Sequence, residues 1–170
     1  MSRMRAGEWL AGLGAIGLFV VLFLDWFSVD GQAAGWRAYA PAGAGVHLSG
    51  WGSLGWFMDV LLCVLILGGA AVTVMTIRRA SPAWPVGAAV ITWILGFLIV
   101  LILAVRVALQ PGLGLGLPNG PVLVEAPAYL GLLFALLIPA GAFLSLRDER
   151  THTAESLAYT PPPARPAPGT

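Results

Sequence analysis

The chain has 170 residues, of which 58% are hydrophobic and only 10% charged, with a formal net charge of +1. A soluble globular domain carries about 25% charged residues, so that class is excluded, and so little positive charge argues against a nucleic-acid partner held on a basic face. The single cysteine, Cys63, cannot form an intramolecular disulfide and, lying inside an apolar run, reads as a small packing residue.

Four apolar runs, at about residues 9–27, 54–77, 86–109 and 122–146, dominate the chain. A helix needs about 20 predominantly apolar residues to cross a ~30 Å hydrocarbon core. Stretches such as Val20-Val21-Leu22-Phe23-Leu24 do not alternate as barrel strands would, so all four runs are predicted to be helices. The expected fold class is all-α: a four-helix transmembrane bundle over residues 1–150, followed by a tail over residues 151–170.

Ahead of the first run, Ser2-Arg3-Met4-Arg5 has the basic character of a signal sequence. The run is longer than the usual 7–15 apolar residues and closes on the bulky Asp25-Trp26-Phe27, so an uncleaved span is predicted. The loop that follows, about residues 28–53, is rich in Gly and Ala and carries Trp36 and Trp51, with Trp26 and Trp56 at its flanks. These four indoles are expected at the headgroup layer, which favours amphipathic rings. So Gly-rich a loop cannot build a core, and short strands or a partial helix resting on the bundle mouth are the most it supports.

The link between the second and third runs, residues 78–85, is short enough to make those helices antiparallel neighbours. Residues 110–121, with Pro111, Pro118 and Pro121 among repeated glycines, read as turn chemistry, and the glycine spacing misses the dinucleotide fingerprint. In the fourth run Pro139 predicts a kink and Pro127 a helix start. The tail, with Pro161-Pro162-Pro163, is predicted to be disordered with polyproline II character.

Orientation follows from arginine, since the chain has no lysine. Arg3, Arg5, Arg78, Arg79, Arg147 and Arg150 flank one side of the predicted spans, against Arg37 and Arg106 on the other. Short Arg-rich segments stay in the cytoplasm, which predicts both termini inside and the aromatic loop outside.

Four ionisable residues near span ends form the candidate outer-face charge cluster: Asp25, Asp59, Arg106 and Glu125. Counted from the cytoplasmic ends of their helices at 1.5 Å per residue, they reach roughly 25–33 Å, near one level. Arg106 is placed to pair with Asp59 or Glu125 as a clasp between helices, and an ion or ligand vestibule is the rival reading. His47 and His152 fall on opposite sides of the membrane and cannot share a metal. A nucleophile built from Ser49 or Ser53 with His47 would need Asp30 or Asp59 as its acid. No catalytic residue, cofactor or metal site is therefore expected. Small residues such as Ala11, Gly14, Gly69, Ala135 and Gly141 line the predicted helices, mainly for packing within the chain, with a second copy or another membrane protein as further partners.

The layout resembles small four-span membrane proteins, without assigned activity, from high-GC Gram-positive bacteria of the actinobacterial type. The residues that carry the likeness are Phe23-Leu24-Asp25-Trp26-Phe27-Ser28, then Gly50-Trp51 with Trp56 and Asp59, then Ala128-Tyr129-Leu130-Gly131-Leu132 and Leu146-Arg147-Asp148-Glu149. Asp25 stands where that group commonly has proline. Claudin- and tetraspanin-like proteins share the plan but use paired outer-loop cysteines, which this chain lacks. The resemblance implies no activity; the function expected from the residues is a structural, accessory or interaction role for a multi-pass protein of the cytoplasmic membrane. The rival is a small transport or ligand-sensing protein.

Overall fold

Small residues decide where the helices of this chain touch. The structure, a computed structural model, describes residues 6–29, 46–77, 83–109 and 122–151. Helix α1 (Ala6–Val21) lies antiparallel against the last helix, α5 (Ala126–Thr151). A Cβ on Gly7 would sit 2.6 Å from the Gly141 carbonyl oxygen, and one on Gly14 would sit 2.9 Å from the Phe134 carbonyl oxygen. Backbones approach this closely only where side chains are nearly absent, and such contact replaces the hydrophobic drive that lipid removes. Helix α3 (Trp56–Ile77) and helix α4 (Ala83–Ala108) complete the packing. α1 and α4 each pack against both α3 and α5, and α3 meets α5 across the middle.

The interior changes character along the bundle. At one end Ala11, Val72, Ala89 and Ala142 form a core of small side chains. Toward the other end the core enlarges to Leu18, Leu22, Leu62, Leu103 and Ile138, and there Trp26, Phe27, Val29 and Val122 join it. The helices meet closely where glycine and alanine face one another and leave wider space where they do not. A non-helical cap fills that space.

The cap holds three short strands, β1 (Asp25–Val29), β2 (Val46–Ser49) and β3 (Val122–Val124), in an antiparallel sheet of order β2-β1-β3. A single turn, α2 (Gly50–Ser53), links β2 to α3 through Gly55, whose φ of +85° is the left-handed conformation glycine adopts at least cost. The described residues are mainly helical, so the expected class holds in outline, but its ends differ from the sequence reading. The first run, expected as one helix over residues 9–27, is helical only to Val21, and residues 25–29 are a strand. The fourth, expected over 122–146, opens with a strand and becomes helical from Ala126 to Thr151. The second and third match within three residues at each end.

Each departure has a local cause. Pro127 disfavours helical geometry at the residue before it, so the helix cannot start much earlier, and β-branched Val122 and Val124 suit the pleated sheet. In the first run, Phe23 N–H and Leu24 N–H turn back to the Val20 and Val21 carbonyls, tightening the last turn, and β1 then pairs with strands on both sides. Apolar composition alone cannot separate such a buried strand from a helix.

Three helical segments, Trp56–Ile77, Val86–Ala108 and Ala126–Arg147, are long and apolar enough to cross a membrane; α1, with 16 residues, is shorter. Their outward faces carry residues such as Leu67, Leu98, Leu101 and Leu133, and Cys63 is exposed among them instead of packing inside. The readings for Trp36 and the 152–170 tail lie outside the described residues.

If α1 and α5 meet backbone to backbone, Gly141→Ala forces them apart and costs about 1–3 kcal/mol, read as a lower unfolding midpoint in detergent. Leu67→Ala, on an outward face, is the control and changes the midpoint little. Equal stability of Gly141→Ala and the parent would contradict the close approach.

Candidate functional site at the capped end

Trp26 organises the capped end. Its indole N–H donates to the Val21 carbonyl at 2.8 Å, joining the Leu24 N–H on the same oxygen where α1 stops. Two more carbonyls beyond the helix receive donors from α2: Gly50 N–H to Leu24 and Trp51 N–H to Leu22. The register of β1 on β2 shifts between Asp25 and Phe27, a bulge that places one extra residue, and both Trp26 and Phe27 are fully buried. The Trp26 ring lies over Gly131 of α5 and beside Gly50, where added methyl groups would overlap it. Trp26, expected at the headgroup layer, is thus a core residue. Trp56 is 78% exposed, and Trp51 is half-buried against Phe23.

The four charges lie near one level, as helix packing shows. Gly69 of α3 packs beside Ile138 of α5; Trp56 and Glu125 each lie thirteen residues from those contacts, toward the cap. Gly96 of α4 rests on Leu65, and Arg106 lies ten residues beyond Gly96 as Gly55 lies ten before Leu65. Asp25 opens β1, and Asp59 sits less than one turn inside Trp56. Level is all they share. Arg106 is exposed and makes no ion pair with a described residue, so the expected bidentate clasp to Asp59 or Glu125 is not formed.

Each charge has a different local role. Ser28 Oγ donates to Glu125 Oε1 at 2.5 Å, and Glu125 N–H donates to the Trp26 carbonyl at 2.9 Å, so Glu125 ties α5 to β1 twice. Asp25 meets His47 Nδ1 at 3.9 Å across β1 and β2, with both side chains more than half exposed, a pairing worth little in water. Asp59 falls in the first turn of α3 and Arg106 in the last turn of α4, while Glu125 directly precedes α5. Carboxylates at helix N-termini and a guanidinium at a C-terminus each complement the helix dipole, by about 0.3–1 kcal/mol. Asp59 Oδ1 is buried without a hydrogen-bond partner among the described residues, and so is Trp51 Nε1.

The serines weighed as nucleophiles serve the backbone. Ser49 Oγ accepts from Gly52 N–H as the N-cap of α2, and Ser53 Oγ donates to the Ser49 carbonyl at 2.8 Å. Among the described residues no three His, Cys, Asp or Glu side chains are grouped to hold a metal ion. An apolar cavity of about 70 Å³ lies between α3 and α4, lined by Leu65, Gly68, Thr92 and Gly96, away from all four charges. Sequence reasoning missed Ser28, the partner of Glu125. Its only trace was one hydroxyl between Phe27 and Val29, where the predicted helix gives way to the loop.

Compared with known protein families, curated proteins and solved structures, the chain matches none.

Replacing Trp26 by Phe removes the indole donor and leaves the Val21 carbonyl with the Leu24 N–H alone, at a cost of about 0.5–1.5 kcal/mol. Gly131→Ala costs a similar amount by crowding the ring. The two are expected to be less than additive, because the smaller ring makes room for the new methyl. Unfolding midpoints of the two single variants and the double variant give the coupling; strict additivity would separate Gly131 from the ring.

Proposed function

We propose that this chain is an integral protein of the cytoplasmic membrane that crosses four times, with both termini inside. We propose a structural, accessory or interaction role without catalysis. The observation that carries this is the use made of the polar groups at the capped end. Glu125 is bound to Ser28 and to the β1 backbone, Ser49 and Ser53 cap α2, and Asp59 and Arg106 sit where helix dipoles favour them. Groups that hold elements together need no ligand to explain their presence. The arginine distribution supports the orientation, with Arg147 exposed at the end of α5 opposite the cap. α1 supports a fourth crossing because its 16 residues, about 24 Å of helix, continue directly into the buried cap.

The second reading, an outer vestibule for transport or ligand sensing, draws on one observation: the buried, unpartnered Asp59 Oδ1 beside the charge level.

The two readings separate in detergent-purified protein. In the structural reading Ser28→Ala and Glu125→Gln each lower the unfolding midpoint, by about 5 °C for a loss near 1.5 kcal/mol. The double variant is then no less stable than the weaker single one, and adding Ca²⁺ or Mg²⁺ leaves the parent midpoint unmoved. A cation-dependent rise that Asp59→Asn abolishes would make the vestibule the better account.

A further inference from the structure

The cap is not helical, yet it lies beside lengths of helix that are continuous with the apolar spans. Val21, where α1 stops, is near the level of Tyr129 and Leu130, since Gly7 faces Gly141 and Gly17 faces Phe134 along the antiparallel pair. On α3, Gly69 lies against Ala11 and Ala15, so the stretch from Trp56 to Leu62 extends past the end of α1. Met58 and Leu62 on this stretch share one core with Trp26, Phe27 and Val29, and so do Leu103 and Val107 of α4. β1, β2, β3 and α2 therefore occupy the space that α1 would fill if it were as long as its neighbours.

What these helices show outward at the same level is apolar. Trp56 is 78% exposed, Tyr129 60% and Phe57 58%, and Phe23 and Leu24 of the chain leaving α1 are exposed beside them. This belt continues the outward faces of Trp56–Ile77, Val86–Ala108 and Ala126–Arg147 without a polar break, apart from Arg106 at its rim. Tryptophan and tyrosine concentrate at the boundary between acyl chains and headgroups, where one end of the ring is dry and the other wet.

Non-helical backbone survives at that depth only if protein satisfies its polar groups. β1 meets the condition: it is hydrogen-bonded on both edges, and Trp26, Phe27, Ser28 and Val29 are buried. The carbonyls of Val20, Val21, Leu22 and Leu24, where α1 unwinds, also have donors.

We propose that the cap is set into the bilayer at the acyl–headgroup boundary, so that a phospholipid leaflet, and not water, surrounds its sides. The occupant of the Phe23–Leu24–Phe57–Trp56–Tyr129 belt is the lipid surface itself, and the exposed Asp25–His47 pair marks the polar side of the boundary. The inference rests on the proposed membrane-spanning reading.

Single cysteines at Leu24, Phe57 and Leu67, in a chain carrying Cys63→Ala, report on it after labelling with a polarity-sensitive fluorophore. The chain is reconstituted in phosphatidylcholine–phosphatidylglycerol vesicles, and quenching by phospholipid nitroxides at shallow and deep acyl positions is compared with quenching by aqueous iodide. Leu67, 66% exposed in the middle of α3, reports the spanning reading and is expected to respond to the deep nitroxide. Leu24 and Phe57 are expected to be quenched by the shallow nitroxide at least about twofold more than by iodide. If Leu67 responds to lipid while Leu24 and Phe57 respond chiefly to iodide, the cap stands in water and the proposal is overturned. If Leu67 also responds to iodide, the spanning reading itself fails.

Discussion

The bond from the Trp26 indole to the Val21 carbonyl is the constraint on which the capped end depends. A helix that stops leaves its last carbonyl groups without intrahelical donors, and other groups must supply them. The indole supplies one donor, and its ring fills the space over Gly131 and Gly50. Once Trp26 is seated, the chain must leave α1 in an extended direction, and the bulge at Asp25–Phe27 lets two successive side chains enter the core. β2 and β3 then close both edges of β1. The glycines of α5 serve the same end: Gly141 brings α1 close, and Gly131 gives way to the indole.

This arrangement also gives the charges at the capped end their places. Four ionisable groups at one level invite a picture of mutual pairing, but each is held by its own helix end or its own strand. Asp59 and Glu125 sit at helix starts, Arg106 at a helix end, and Asp25 at the start of β1 facing His47. The shared level follows from geometry, because antiparallel helices of similar length packed side by side have their ends in register. Dipole complementarity then selects the sign of the charge at each end.

The sequence was legible where one physical effect dominates. α3 and α4 have bounds close to those expected, because 22 and 26 residues of nearly unbroken apolar chain admit no alternative to a helix. It misled where two effects yield the same composition. Phe23-Leu24-Asp25-Trp26-Phe27 is as apolar as a helix end, and nothing in its periodicity reveals that Trp26 turns inward to a carbonyl five residues back. Val122-Leu123-Val124 reads as the opening of a span until Pro127 and the pairing with β1 are considered together. The candidate site was half visible: Asp25, Asp59, Arg106 and Glu125 lie near one level, but Ser28 and His47, which face Glu125 and Asp25, are separated from them by 97 and 22 residues.

The sequence by itself determined that this chain is a mainly helical protein with segments fit for a membrane, because transfer of apolar residues from water depends on composition and length and hardly on neighbours. It also determined which positions are small enough for close helix contact. Only the tertiary structure decided where the first helix ends, that Trp26 is core and not interface, and that the charges serve separate elements. Those outcomes depend on which distant groups supply hydrogen bonds and space, the Gly131 notch and the Ser28 hydroxyl among them, and that is fixed only once the helices have packed.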